Sequence, residues 1–311
     1  MSVKFYFTLK KPKAGLSPSF PKDGLFFKGK NGSTVILIHG LTGTPHEMRF
    51  LANSLNKAGY SVICPRLAKH GEPLEILKHA KWQEFYETVR QTLLQIDTTV
   101  HPGPIFVSGL SMGALLGLLL AEEFPDRIAG VSCLSPTLFY DGWNTPWSRY
   151  LLPLAYYTPI KEFFYFKEEP PYGIKNPAIR ELIHRYYEKA TINNLENVAK
   201  YGYPYFPVKL LCQLLTLVKY LNKKLPNIHT PVQLIQAEED DMTSMKNSEF
   251  IRKHIRSEIK ELILLFNSYH IITADQERDK VAHHLEDFFN RIRNKTYLPA
   301  KNISETNVCP V

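Results

Sequence analysis

Ile105-Phe106-Val107-Ser108-Gly109-Leu110-Ser111-Met112-Gly113-Ala114-Leu115-Leu116-Gly117-Leu118-Leu119-Leu120-Ala121 changes its period in the middle. Residues 105–108 have the length and composition of a buried strand, and residues 114–123 read as an apolar helix. Between them lies Gly-Leu-Ser-Met-Gly. A chain that passes this abruptly from strand to helix needs small residues on both sides of the turn, and its apex residue is strained with the side chain projecting outward. That apex is Ser111. Its hydroxyl is expected beside a helix N-terminus, where free backbone N–H groups favour developing negative charge. Interruption by Ser108, Ser111 and glycines, with the change of period, argues against a membrane span.

A second glycine-bearing turn, His39-Gly40-Leu41-Thr42-Gly43, follows the apolar run 35–38. Acyl transfer to a serine needs two N–H donors aimed at the oxyanion. One would come from Met112, directly after the serine, and the other from Leu41 in this earlier loop. His39 belongs to the turn and is read as structural. The serine also needs a base, and with eleven histidines in the chain only position can choose it. His270 follows the last expected strand and precedes the final helix. The acid should lie between serine and histidine in chain order. The run after residues 232–236 is Ala237-Glu238-Glu239-Asp240-Asp241-Met242. One carboxylate must face His270 Nδ1 to fix its tautomer, and the residues alone leave Asp240 and Asp241 both open.

Outward from these turns, apolar runs at 35–39, 61–64, 105–108, 128–134, 232–236 and 262–266 are β-branched or Leu-rich and nearly continuous. Parallel strands covered on both faces have this pattern. Segments of helical length separate the first four and the last two. Thr44-Pro45 suits an N-cap and first turn, with Met48, Leu51 and Leu55 at helical spacing behind it. Asp275 is expected to begin a helix carrying Val281, Leu285, Phe288 and Phe289 on one face. This order predicts an α/β fold, a mostly parallel central sheet flanked by helices. Residues 139–229 break the rhythm. They show no buried strand, hold 19 of the 38 aromatic residues, and carry a net +5 of the total +8, punctuated by prolines such as Pro146, Pro153, Pro159 and Pro177. Residues 210–220 read as a helix. The stretch 139–229 is therefore expected to be an inserted, mainly helical cap, with residues 1–138 and 230–311 forming the core.

Hydrophobic content of 44% and charged content of 22% are those of a globular protein. The positive charge is dispersed in short runs such as Lys10-Lys11-Pro12-Lys13 and Lys223-Lys224, and no nucleic-acid motif accompanies it. Cys64, Cys133, Cys212 and Cys309 are far apart, which argues against disulfides or a zinc site and for a reducing compartment. Residues 1–13 lack the apolar region of a signal peptide, so a cytoplasmic location is expected. Cys309 is third from the end, out of place for a prenylation box. Asn31, Asn294 and Asn302 match the glycosylation pattern by chance on this reading.

The loop His39-Gly-Leu-Thr-Gly43, the elbow Gly109-Leu-Ser-Met-Gly113, the acid turn and Ser268-Tyr-His-Ile-Ile-Thr-Ala-Asp275-Gln-Glu-Arg-Asp279 resemble the α/β-hydrolase superfamily, in particular bacterial carboxylesterases and monoacylglycerol lipases. The likeness covers residues 35–136 and 231–293. In that family the acid turn usually reads Gly-x-x-Asp-x-Val; Ala237 and Met242 stand at its ends, so the resemblance implies Asp240 as the acid. Lys69-His70-Gly71 departs from the Gly-His-Gly of many relatives. The resemblance implies a Ser111–His270–Asp240 serine hydrolase with an oxyanion hole from Leu41 and Met112, needing no metal or organic cofactor. An aromatic, basic cap suggests a small-molecule or lipid ester substrate and peripheral contact with an anionic membrane surface, without nucleic acid. Lysophospholipid or thioester hydrolysis would use the same residues, and a non-catalytic binding protein of this fold would be expected to have lost one of the three.

Overall fold

Each of the six apolar runs forms a strand of the central sheet in the computed structural model, which describes residues 24–97, 99, 101–145, 150, 154, 156–189, 198 and 202–296. The run Lys10-Lys11-Pro12-Lys13, Pro146, Pro153, Asn302 and Cys309 lie outside the described residues. The strands are β2 (Thr34–Ile38), β3 (Ser61–Cys64), β4 (Ile105–Leu110), β5 (Ile128–Leu134), β8 (Val232–Ala237) and β9 (Lys260–Leu265), joined by a short β1 (Leu25–Phe27). Their order is β1-β3-β2-β4-β5-β8-β9. All pairings are parallel except that of β1 with β3. Because the strands are parallel, their C-terminal ends form one edge, where the loops after β2, β4, β8 and β9 converge.

Alternate residues of each strand feed two cores. Val35, Leu37, Phe106 and Leu134 pack with α1 (Arg49–Lys57) and α8 (Arg278–Arg293). Ile36, Ile38, Val107 and Val131 pack on the opposite face with α3 (Trp82–Leu94) and α4 (Met112–Glu123). Burial on both faces is what makes these strands continuously apolar. β9 differs: Lys260 and Leu264 are exposed, because it closes the sheet as an edge strand. A leucine-rich run does not distinguish the two cases. Thr44 does cap the turn behind β2, accepting the His46 N–H in a 3-10 turn (Pro45–Met48) that leads into α1. The final helix begins at Arg278 rather than at Asp275, whose carboxylate is used elsewhere.

Between β5 and β8 the chain forms a half-buried antiparallel pair, β6 (Tyr165–Lys167) and β7 (Tyr205–Pro207), and the helices α5 (Pro177–Lys189) and α6 (Val208–Asn222). A one-turn helix α2 (Leu74–Leu77) precedes α3, and α7 (Lys246–His254) links β8 to β9. α6 packs against α3 and α4 and buries Leu210, Leu214 and Leu217 in their core. Cys64, Cys133 and Cys212 are buried free thiols.

Candidate active site

The elbow after β4 is shaped by two close approaches. A Cβ on Gly109 would lie 2.3 Å from the Gly113 carbonyl carbon, and one on Gly113 would lie 2.3 Å from the Ile38 carbonyl oxygen. Only glycine fits at either position. Ser111, between them, has φ 57° and ψ −117°, a conformation that costs a residue with a side chain about 1–3 kcal/mol. Its N–H donates to Leu134 O at 2.8 Å at the end of β5, which holds the strained turn in place. The hydroxyl is 2.7 Å from Thr137 Oγ1. Met112 opens α4, and an N–H in the first helical turn has no acceptor within the helix.

The loop after β9 presents His270, which is 2% exposed. Its Nδ1 lies 3.0 Å from Asp240 Oδ1 and 2.9 Å from Oδ2. Asp240 is oriented by the turn after β8: Oδ1 accepts the N–H groups of Met242 and Thr243 at 2.9 and 2.8 Å, and Oδ2 accepts the Thr243 hydroxyl at 2.9 Å. Asp241 meets the backbone instead. Its Oδ1 accepts the His270 N–H and its Oδ2 the Gly173 N–H, each at 3.2 Å. An imidazole donating from Nδ1 leaves Nε2 as its proton acceptor. Burial opposes a charge on His270, but the charge and hydrogen bond of Asp240, with Asp241 and Glu47 adding, outweigh it and raise the imidazole above its usual pKa. Burial raises the carboxyl of Asp241, with His270 acting against it and Asp240 adding to it.

Leu41 lies in the loop after β2 and is 4% exposed. Two neutral histidines support that loop. His39 has Nδ1 2.9 Å from Gly40 O, and its Nε2 accepts the Leu67 N–H. Burial, then His70, lowers its pKa well below the usual value. His70 Nε2 is 2.8 Å from Leu41 O, and burial pushes its pKa down to about 4. Both are structural at neutral pH. Lys69 adopts φ 63°, the left-handed region that favours glycine, so the departure from Gly-His-Gly keeps the backbone shape that the glycine would have supplied.

Several side chains here carry no sequence signal. Thr137, in the loop after β5, meets the Ser111 hydroxyl across 26 residues of chain. Glu47 accepts the Gly40 N–H; burial raises its carboxyl to about 7. Glu168 accepts the Tyr187 hydroxyl at 2.7 Å and is also raised to about 7 by burial. A cavity of about 400 Å³, lined by Tyr140, Phe166, Glu168, Phe206 and Leu211, reaches Asp241. The stretch between β5 and β8 also bonds the loops after β8, β9 and β2. Gly142 N–H bonds Met242 O, Ile271 N–H bonds Gly173 O, and Tyr203 N–H bonds Thr42 O. Among the described residues no group of three or more His, Cys, Asp or Glu side chains is arranged to hold a metal.

Residues 29–277 match the family described as serine aminopeptidase S33. A thermostable monoacylglycerol lipase of Bacillus sp. (strain H-257) is 31% identical over 264 residues, covering 85% of this chain and 93% of that protein. A carboxylesterase of Bacillus subtilis (strain 168) is 25% identical, covering 86% and 95%. Among solved structures, one from a study of LipS and LipT, two metagenome-derived lipolytic enzymes, superposes with a TM-score of 0.70 at 26% identity, covering 89% of this chain and 100% of that one. The architecture is the α/β-hydrolase fold.

Proposed function

Because the chain belongs to the serine aminopeptidase S33 family, we propose that it is a serine hydrolase of carboxylic esters, with a monoacylglycerol or another short- to medium-chain ester as substrate. The observation that carries the proposal is the alignment of His270 Nδ1 on the Asp240 carboxylate, at the same sheet edge as a serine held at positive φ. In the proposed cycle the Ser111 hydroxyl rotates from Thr137 to His270 Nε2 and loses its proton as its oxygen attacks the ester carbonyl. The N–H groups of Leu41 and Met112 hold the oxyanion, each lowering the barrier by about 2.7–4 kcal/mol. His270 then protonates the departing alcohol. Water, deprotonated by the same imidazole, cleaves the acyl-enzyme and regenerates Ser111.

Residues 139–229 are proposed as a cap, anchored on the core by α6. Tyr157, Phe163, Phe164 and Leu182 are 59–80% exposed on this stretch. With its excess of Lys and Arg they support peripheral contact with an anionic membrane surface. No described helix is long and apolar enough to cross a membrane. Buried free thiols support the reducing cytoplasm as its location.

The test is hydrolysis of p-nitrophenyl esters from acetyl to palmitoyl, with wild type beside Ser111→Ala. Activity that peaks at one chain length and is lost in the folded variant supports the proposal and sizes the acyl pocket. Equal activity in Ser111→Ala rejects the nucleophile. An inactive folded wild type moves the reading to thioester, amide or lysophospholipid substrates.

A further inference from the structure

Glu47 occupies a place that the reaction as described does not use. Its residue is half-buried and its carboxyl is turned under the loop formed by residues 40–43. Oε1 accepts the Gly40 N–H. A Cβ on Gly43 would overlap the same carboxyl, 2.2 Å from Oε2. A Cβ on Gly40 would lie 3.5 Å from Glu47 Oε1 and 3.7 Å from Ser111 Cβ, so the carboxyl and the serine flank one glycine. Leu41, the proposed oxyanion donor, sits between Gly40, which Glu47 bonds, and Gly43, which its carboxyl lies against, while His70 Nε2 is 2.8 Å from the Leu41 carbonyl oxygen.

We propose that Glu47 is a positioning residue for acyl transfer: its carboxyl, wedged beneath residues 40–43, fixes the N–H of Leu41 at the oxyanion site. The inference rests on the serine-hydrolase reading for its catalytic consequence and on geometry alone for the loop. A neutral carboxyl or an amide can accept the Gly40 N–H as well as a carboxylate can, so the grip does not need charge. The charge has a separate effect. The groups coupled to Glu47 are His270 from the loop after β9, Glu168 after β6 and Tyr187 of α5. Burial raises Glu47 to about 7, so it ionises as the pH rises through neutrality. Its anion favours the His270 imidazolium and opposes an oxyanion nearby. Removing that charge should lower the pH at which His270 becomes a base.

The experiment compares wild type, Glu47→Gln and Glu47→Ala. Amide hydrogen exchange of residues 40–43 should accelerate at least about tenfold in Glu47→Ala and stay near wild type in Glu47→Gln, since local opening sets that rate. With a p-nitrophenyl ester, Glu47→Ala should lower kcat about 10- to 100-fold with KM within about threefold, part of the loss from removing an oxyanion donor outright. Glu47→Gln should recover most of that kcat and move the acid limb of kcat/KM to lower pH. Unchanged loop exchange in Glu47→Ala overturns the proposal, as does a Glu47→Gln variant as impaired as the alanine. Absence of ester turnover in wild type counts against the carboxylic-ester reading instead, and the exchange measurement still decides whether Glu47 holds the loop.

Discussion

Asp240 and Asp241 are chain neighbours, both buried, and their carboxyls meet different atoms of His270. One reaches the ring nitrogen, the other the backbone N–H. A ring contact bears on tautomer and imidazolium charge, whereas a backbone contact bears on loop position. Asp240→Asn is therefore expected to lower kcat about 10³- to 10⁴-fold, as loss of a triad acid does by misdirecting the imidazole. Asp241→Asn should leave kcat within about tenfold and destabilise the fold by about 1–3 kcal/mol, because the amide cannot accept from both Gly173 and His270. Steady-state kinetics and urea melts on the two variants check this, and equal or reversed losses of turnover reject the assignment. The residues of Glu238-Glu239-Asp240-Asp241 left the order open, since four adjacent carboxylates differ only in which way a turn points them, and the resemblance of Ala237–Met242 to the family's acid turn implied Asp240.

Asp275 acts between elements. The helix pattern places it at the start of the final helix, but its carboxylate instead gathers the N–H groups of Tyr269 and Gln276 with those of Lys175 and Asn176. It thereby ties the loop bearing His270 to the chain entering α5. Asp275→Ala leaves these donors without their acceptor in a site where the residue is 1% exposed, and a loss on the order of 3 kcal/mol is expected. Denaturant unfolding measures it; a stability equal to wild type would show that the tie contributes nothing. The elbow shows the opposite relation between pattern and structure. Gly109 and Gly113 are required by the approach of β2 and α4, a requirement that every strand-turn-helix of this shape imposes, so the local sequence records it.

Across the whole molecule the formal charge is +8, and five of those charges belong to residues 139–229. Exposed Tyr157, Phe163 and Phe164 lie on the same stretch. Such a surface should sediment with anionic vesicles more than with zwitterionic ones, and binding should weaken several-fold as salt rises from roughly 0.05 to 0.5 M, where screening shortens to a few ångströms. Equal sedimentation at both salt concentrations would count against an electrostatic contribution. Equal sedimentation with both lipids would remove the anionic surface from the proposal.

Sequence alone determined what is local to a strand end: a sheet of buried parallel strands, the glycine-bounded turn at Ser111, the loop bearing Leu41, and His270 after the last strand. These follow from period and from steric limits that act within a few residues. Tertiary structure decided which carboxylate faces the His270 ring, that β9 is an edge, that Thr137 meets the Ser111 hydroxyl, and that Glu47 lies beneath the loop of Leu41. Each depends on loops from separate strands converging at one sheet edge. A contact between residues far apart in the chain leaves no periodicity for the sequence to show.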